Sequence, residues 1–193
     1  MGGNSVATVA AAGSSIRTGG RIHRFPDRSL CLGPKPSSGP PRPLRVSLAC
    51  DPKAAPPRAF ELFVTRMAEW WPKGMTIGKR PHVEIVIEPR VEGRWFERDA
   101  EGNETQWGKV LAWEPPSRLL LAWQIDSEWR YDPTLVTEVE LTFEPAPDGG
   151  AIVTLQHRNL ERFGRDAVPH SERLRDGWPG LVARYAELVD SNV

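Results

Sequence analysis

Two side chains in the second half of the chain could do acid–base chemistry, His157 and Glu97. His157 lies in the segment AIVTLQHR, in phase with its apolar residues, so the ring is predicted to face the protein interior. Glu97 alternates with Trp95 in GRWFERD and is predicted to share its face. A buried carboxylate needs a partner, and His157 or an arginine could supply one.

Both residues also have simpler interpretations. His157 can be a core histidine hydrogen-bonded to the backbone or to a tyrosine, a polar contact for the head group of a ligand, or a catalytic base. For Glu97, a β-bulge that turns the side chain to solvent is an equally good interpretation. We therefore predict cavity positions for both residues and assign no catalytic residue from the sequence.

Other kinds of site find little support in the sequence. The four histidines, at positions 23, 82, 157 and 170, have no paired-ligand spacing, so no metal is predicted. No glycine-rich loop follows a strand and opens a helix, and no Ser or Cys stands in a nucleophile motif, so no cofactor is predicted. After residue 44 acidic residues outnumber basic ones, and the basic residues do not cluster into a stripe. This charge distribution excludes a nucleic-acid-binding protein.

Tryptophan is the most unusual feature of the composition: the chain has eight, all after residue 69, against two tyrosines. In MAEWWPKGMTIG, Trp70 and Trp71 end a predicted helix, and adjacent helical side chains point about 100° apart. Trp71 is predicted to be core beside Phe60, and Trp70 to lie at the rim of a cavity beside Phe63. Packing of Trp70 under the following loop is the alternative.

Several further aromatic residues are predicted to line or cover the same cavity. Trp129 and Tyr131, in the loop SEWRYDPTLV, are expected to fold over its mouth, with packing onto the sheet edge as the alternative. Trp95 and Trp123 occupy strand positions that are consistent with either the core or the wall of a cavity. Trp178 and Tyr185 lie on the apolar face of the last helix.

These residues are positioned by a predictable series of elements. RVSLACD alternates as a strand, and the following proline-rich stretch opens a helix that ends at Trp71. After residue 80 the period is two through about six strands, with Val83, Ile85 and Ile87 facing inward in the first of them. An amphipathic helix then runs from about Asp176, a plausible N-cap, to Asp190, with Pro179 in its first turn.

The order strand, helix, antiparallel strands, helix predicts an α+β fold. A single curved meander has one apolar face to cover, and the last helix is the long amphipathic element left to cover it. We therefore expect a helix-grip fold, an antiparallel sheet of about six or seven strands wrapped around the C-terminal helix. Such grips commonly leave a cavity between sheet and helix.

Residues 1–43 are rich in Gly, Ser, Pro and Arg, sustain no apolar period, and are predicted to be a disordered N-terminal extension. Their composition fits an organelle presequence, a linker, or translation assigned from too early a start codon. We expect limited proteolysis to remove them without changing the melting temperature of the domain. A fall of several degrees on truncation would contradict this boundary.

Three segments of the predicted domain, residues 44–193, are distinctive: EPRVEGRWFERD, the glycine-to-WEPP turn of Gly108–Pro116, and the GW pair that opens the last helix. Through these segments the chain, over about residues 44–190, resembles the SRPBCC superfamily (START-like, Bet v 1-like). Within the superfamily the chain is similar to proteins related to the C-terminal domain of the activator of heat-shock-protein-90 ATPase. The resemblance implies a helix grip with a cavity for apolar or amphipathic ligands, and no shared catalytic triad.

Three functions are compatible with this fold. The first is non-enzymatic binding or transport of a small apolar or aromatic ligand. The second is a cyclase- or hydrolase-like enzyme that uses a His–Glu pair in the cavity. The third, implied by the family name, is a chaperone ATPase regulator in the stress response, which a pull-down with the chaperone's middle domain would test.

The sequence also bears on where the protein works. The chain has no apolar run of the roughly 20 residues needed to span a bilayer, so no integral membrane contact is predicted. Its two cysteines, Cys31 and Cys50, show no disulfide framework and favour a reducing compartment. A cytoplasmic location is therefore expected.

Overall fold

The computed structural model describes residues 41–51, 53–147 and 149–192. The predicted extension, apart from residues 41–43, lies outside the described residues. Seven strands, three α-helices and one 3-10 segment follow in chain order: β1 (Leu44–Ala49), α1 (Pro56–Thr65), α2 (Met67–Trp70), β2 (His82–Ile87), β3 (Arg94–Asp99), β4 (Glu104–Glu114), β5 (Arg118–Trp123), β6 (Thr137–Pro145), β7 (Ala151–Arg158), the 3-10 segment (Leu160–Asp166) and α3 (Ala167–Asp190).

The strands form one antiparallel sheet in the order β1-β7-β6-β5-β4-β3-β2, which confirms the predicted antiparallel sheet of about six or seven strands. β1 joins it at the far edge by pairing with β7. The helix α3 packs on the sheet through Trp178, whose ring lies 5.8 Å from Trp123 on β5 and 6.0 Å from His157 on β7. The predicted helix-grip α+β fold is thus confirmed.

The first helical region is broken, where the sequence predicted one helix to Trp71. Arg66 has φ −120° and ψ 26°, which ends α1 and starts the short helix α2. Trp71 is already extended, with φ −76° and ψ 128°. Neither Trp70 nor Trp71 belongs to α1, so a helical wheel drawn through α1 does not give the directions of their side chains. Both rings turn inward, and each is only 2% exposed.

The helix α3 begins nine residues earlier than the predicted start at Asp176. Pro169, the third residue of α3, occupies the first turn, where its missing N–H costs no helical hydrogen bond. The prediction gave that position to Pro179, which instead lies inside the helix. The earlier start brings His170, Arg173 and Leu174 onto the helix that faces the sheet.

The start of β2 also differs from the predicted alternation. The register shifts between His82 and Glu84, so two residues of β2 face one position of β3. His82 is consequently buried at 1% exposure, whereas Val83, predicted to face inward, is 49% exposed. Ile85 and Ile87 point inward as expected.

Candidate ligand site

A small cavity lies between the end of β5, the loop after it, the chain following α2, and α3. Its volume is about 80 Å³. Tryptophan rings and aliphatic side chains form most of its wall, with a basic group at one side. We call it the aromatic cavity, and its lining residues are Trp71, Met75, Trp123, Trp129, His170, Arg173, Leu174, Gly177, Trp178 and Leu181.

Trp129 stands at the mouth of the aromatic cavity. Its ring lies 6.2 Å from that of Trp123, and the residue is still 38% exposed. Its φ of 60° is in the left-handed region, which a bulky residue adopts only when its surroundings hold it there. Asp126 does so by accepting hydrogen bonds from the backbone N–H groups of Glu128 and Arg130.

The loop carrying Trp129 is fastened to the start of α3. The Ser127 hydroxyl lies 2.9 Å from Asp166 Oδ2, and Arg173 donates to the carbonyl oxygen of Ser127 at 3.3 Å. The guanidinium of Arg173 also lies 3.1 Å from Nδ1 of His170. No ion pair to Arg173 occurs among the described residues, so its charge remains available at the cavity.

His157 lies behind the aromatic cavity and is fully engaged. Its Nε2 is 2.8 Å from the Thr137 hydroxyl, and Trp178 Nε1 donates to its Nδ1 at 3.2 Å. Nδ1 is therefore the acceptor of a neutral ring and Nε2 carries the proton. Burial, and secondarily the charge of His170, lowers the pKa of His157 to about 3. Both ring nitrogens are occupied by protein, which matches the interpretation as a core histidine.

Glu97 is buried at 2% exposure and does not meet His157. Its Oε1 accepts hydrogen bonds from the backbone N–H groups of Ile77, at 3.0 Å, and of Gly78. The imidazole that faces it is His82, whose Nδ1 lies 3.9 Å from Oε2. Among the described residues no hydrogen bond or ion pair joins Glu97 to His157, so the pair considered for an enzyme is absent.

The remaining predicted site residues lie apart from the aromatic cavity. Trp70 is not a rim residue: its ring packs 5.1 Å from Phe63 and 5.6 Å from Tyr185. Tyr185 is buried and donates to the carbonyl oxygen of Ala59 at 2.6 Å. Trp95, with no exposed surface, packs on Trp123 at 5.7 Å. Tyr131 is 39% exposed and does not line the cavity.

The structure thus brings Trp123, Trp129 and Trp178 together around the cavity, as the sequence suggested. Sequence reasoning assigned Trp71 to the core, whereas it lines the cavity. The other wall residues that it missed are on α3 and after α2: Met75, His170, Arg173, Leu174, Gly177 and Leu181. The available signal was Pro169 as a helix start, which would have placed residues 170–175 on α3. No group of three or more His, Cys, Asp or Glu side chains among the described residues could hold a metal ion.

Similarity to known proteins agrees with this architecture. The model of the family "Activator of Hsp90 ATPase homolog 1-like protein" matches residues 53–190. Among the described residues no helix is long and apolar enough to cross a membrane. None of the proteins with curated functions matches the chain.

Several solved structures share the fold. The anthrahydroquino-gamma-pyrone synthase Txn09, solved in complex with SUM, is 35% identical, with a TM-score of 0.55 over 77% of this chain and 97% of Txn09. The self-sacrificing resistance protein CalC from Micromonospora echinospora is 27% identical, with a TM-score of 0.58 over 78% of this chain and 95% of CalC.

A third structure, protein MLL2253 from Mesorhizobium loti, is 19% identical, with a TM-score of 0.58 over 79% of this chain and 99% of its own, and shows the fold alone. The family model covers most of the chain, and Txn09 is aligned over nearly its whole length. The chain therefore belongs to the Activator of Hsp90 ATPase homolog 1-like protein family.

Proposed function

We propose that the protein binds a small planar aromatic ligand in the aromatic cavity without transforming it. The observation that carries the proposal is the wall of Trp71, Trp123, Trp129 and Trp178 around one opening between sheet and helix. Flat indole faces offer large apolar contact area with little side-chain entropy to lose, so they favour flat aromatic partners. The likeness to Txn09, described as the synthase of a polycyclic aromatic compound, supports this ligand class.

Arg173 suggests how such a ligand would be oriented. Its guanidinium is the basic group of the cavity wall, and within the described part of the chain it bonds only to neutral acceptors, the carbonyl oxygen of Ser127 and the ring of His170. A phenolate, carboxylate or sulfonate on the ligand would gain a charge-assisted hydrogen bond there. We therefore expect anionic aromatic ligands to bind more tightly than neutral ones of the same shape.

The size of the aromatic cavity adds a requirement. Pockets for drug-sized ligands usually measure about 300–1,000 Å³, whereas this cavity measures about 80 Å³. Trp129 is the wall residue with the most exposed ring and stands on a loop. A ligand ring would take its place against Trp123, so binding requires Trp129 to move outward.

Two histidines, His170 in the cavity wall and His157 behind it, favour binding over catalysis. His157 has both ring nitrogens bonded to protein groups. Burial, and secondarily the charge of Arg173, lowers the pKa of His170 to about 4, against the opposing charges of Asp126 and Asp166. A base with so low a pKa is poorly matched to proton transfer at neutral pH.

Gly177→Leu is expected to weaken binding of anthraquinone-2-sulfonate at least about tenfold, a loss of about 1.4 kcal/mol. Gly177 lines the aromatic cavity, and a Cβ there meets no atom within 4 Å, so the leucine would occupy the ligand's space. Isothermal titration calorimetry at pH 7 measures the change in Kd.

Gly180→Leu is the matched control. Gly180 lies on the exposed side of the same helix, and a Cβ there also meets no atom within 4 Å. Both variants should gain about 0.5–1 kcal/mol of stability, since glycine is a poor residue for a helix interior. Equal affinity of the two variants for the probe, or no binding by the natural protein, would contradict the proposal.

A further inference from the structure

A second, polar opening lies on the other side of the chain segment that follows α2. Its volume is about 660 Å³, within the range of ligand pockets. We call it the polar cleft, and it lies between residues 77–80 and the hairpin that joins β3 to β4. Glu97 and Thr105 form its inner end, whereas Lys79 and Arg80 stand at its exposed edge.

Glu97 is a buried carboxylate whose hydrogen-bonding capacity is only half used. Oε1 accepts two backbone N–H groups, but Oε2 has no hydrogen-bond partner. His82 does not supply one, because 3.9 Å exceeds hydrogen-bond length and neither ring nitrogen makes a hydrogen bond of good geometry. Leaving a buried acceptor without a hydrogen bond is unfavourable, so a group that donates to Oε2 is favoured.

His82 cannot act as the counter-ion of Glu97 near neutral pH. Burial first, and then the charge of Lys73, lowers the pKa of His82, and the backbone of Trp71 opposes this only in part. The imidazole is therefore neutral above its ordinary pKa of about 6.5. Among the described residues no group donates a hydrogen bond to Glu97 Oε2, so a bound ligand can supply the donor.

Gly78 lies directly against Glu97 at the inner end of the polar cleft. A Cβ at this position would lie 2.9 Å from Glu97 Oε1 and 2.9 Å from Thr105 Oγ1. Only a residue without a side chain therefore fits against these two groups, and a side chain at position 78 would push the carboxylate from its place.

The charges around the cleft select a neutral ligand. An anion would meet the carboxylates of Glu97 and Asp99, and a cation would meet Lys79 and Arg80. Arg80 is paired with Glu101 at 2.7 Å, whereas Lys79 has no ion pair among the residues that the structure describes. A hydroxyl group can bind next to charges of either sign, because it donates a hydrogen bond to a carboxylate and accepts one from an ammonium group.

We propose that the polar cleft binds a neutral ligand with two adjacent hydroxyl groups. One hydroxyl donates to Oε2 of Glu97, the oxygen without a hydrogen-bond partner, while Oε1 keeps the N–H groups of Ile77 and Gly78. The second hydroxyl accepts a hydrogen bond from the Lys79 ammonium group. This site is separate from the aromatic cavity and stands whether or not an aromatic ligand binds there.

Catechol is a suitable probe, and 1,2-dimethoxybenzene is its matched control, since methylation removes both donors. In two-dimensional amide NMR of the full chain at pH 7, catechol is expected to shift the Ile77 and Gly78 resonances in a saturable manner. The dimethoxy compound should leave them unchanged. Absence of these shifts up to about 50 mM catechol, a binding free energy weaker than about −2 kcal/mol, would overturn the proposal.

Three substitutions assign the effect to Glu97. Glu97→Gln, which keeps one acceptor for the N–H groups, and Gly78→Ala, which displaces the carboxylate by steric contact, should each weaken catechol binding about tenfold or more. Gly74→Ala is the control in the same loop, because a Cβ there meets no atom within 4 Å. Natural affinity in both Gly78→Ala and Glu97→Gln would refute the site, and Gly78→Ala alone decides if Glu97→Gln does not fold.

The two proposals fail separately in these experiments. Gly177→Leu should leave catechol shifts at Ile77 and Gly78 as they are in the natural protein. Glu97→Gln should leave the Kd of anthraquinone-2-sulfonate within about twofold, less than 0.5 kcal/mol. Catechol shifts at Met75 in place of those at Gly78 would place the diol in the aromatic cavity and overturn the cleft assignment.

Discussion

The free energy of unfolding is expected to fall by about 2–3 kcal/mol per pH unit as the pH is lowered from 6 to 5. In the folded protein the pKa of His157 is about 3 and that of His170 about 4. In the unfolded chain each is about 6.5, so between these values the unfolded state binds about two more protons. The stabilisation that comes from keeping these two histidines neutral is complete above pH 6.5. It is lost as the pH falls toward their pKa values in the folded protein.

Urea denaturation at pH 7, 6 and 5 measures this dependence. Burial also lowers the pKa of His82, which adds to the slope in the same direction. His170→Gln removes one of the titrating groups and should reduce the slope by about 1.4 kcal/mol per pH unit at most. A free energy of unfolding that changes by less than about 0.5 kcal/mol over this pH range would show that these histidines titrate normally.

Trp70→Ala and Trp71→Ala should each lower the free energy of unfolding by about 3–5 kcal/mol, the usual cost of emptying a buried aromatic position. Both side chains are 2% exposed. The Trp71 ring packs against other tryptophans, lying 5.0 Å from Trp107 and 6.0 Å from Trp178. Chemical denaturation followed by far-ultraviolet circular dichroism measures the loss.

Trp129→Ala is the control for this pair, because its ring is 38% exposed and its removal should cost no more than about 1 kcal/mol. Trp70→Ala should leave the affinity for anthraquinone-2-sulfonate unchanged, since Trp70 does not line the aromatic cavity. A loss of stability below 1 kcal/mol together with weaker probe binding would restore Trp70 to the rim of a ligand site.

The fold was predictable because its signals are local and repeated. Strict alternation in β6 put Val139, Leu141 and Phe143 inward, and all three are buried. The errors lie where one residue changes the phase of a pattern. Arg66 ends α1 through its backbone angles, and the shift in register after His82 exchanges the inner and outer faces. Neither event leaves a composition signal.

The candidate site was predictable only in its aromatic part. Bulky rings at inward strand and helix positions can be read from periodicity, as Trp123 and Trp178 were. The partners of His157 and Glu97 could not, because they depend on contacts between distant segments. Thr137 reaches His157 across neighbouring strands, and the N–H groups that hold Glu97 belong to an irregular loop. A cavity volume depends on packing of all its walls and has no sequence signature.

Methionine NMR offers the most direct measurement of the proposed ligand site. Met75 lines the aromatic cavity, whereas Met67 is buried in the core at 1% exposure and does not line it. With 13C-labelled methionine methyl groups and saturating anthraquinone-2-sulfonate, we expect nuclear Overhauser effects between the probe and the Met75 methyl group and none to Met67. Binding of the probe without any effect at Met75 would contradict the assignment of the ligand to this cavity.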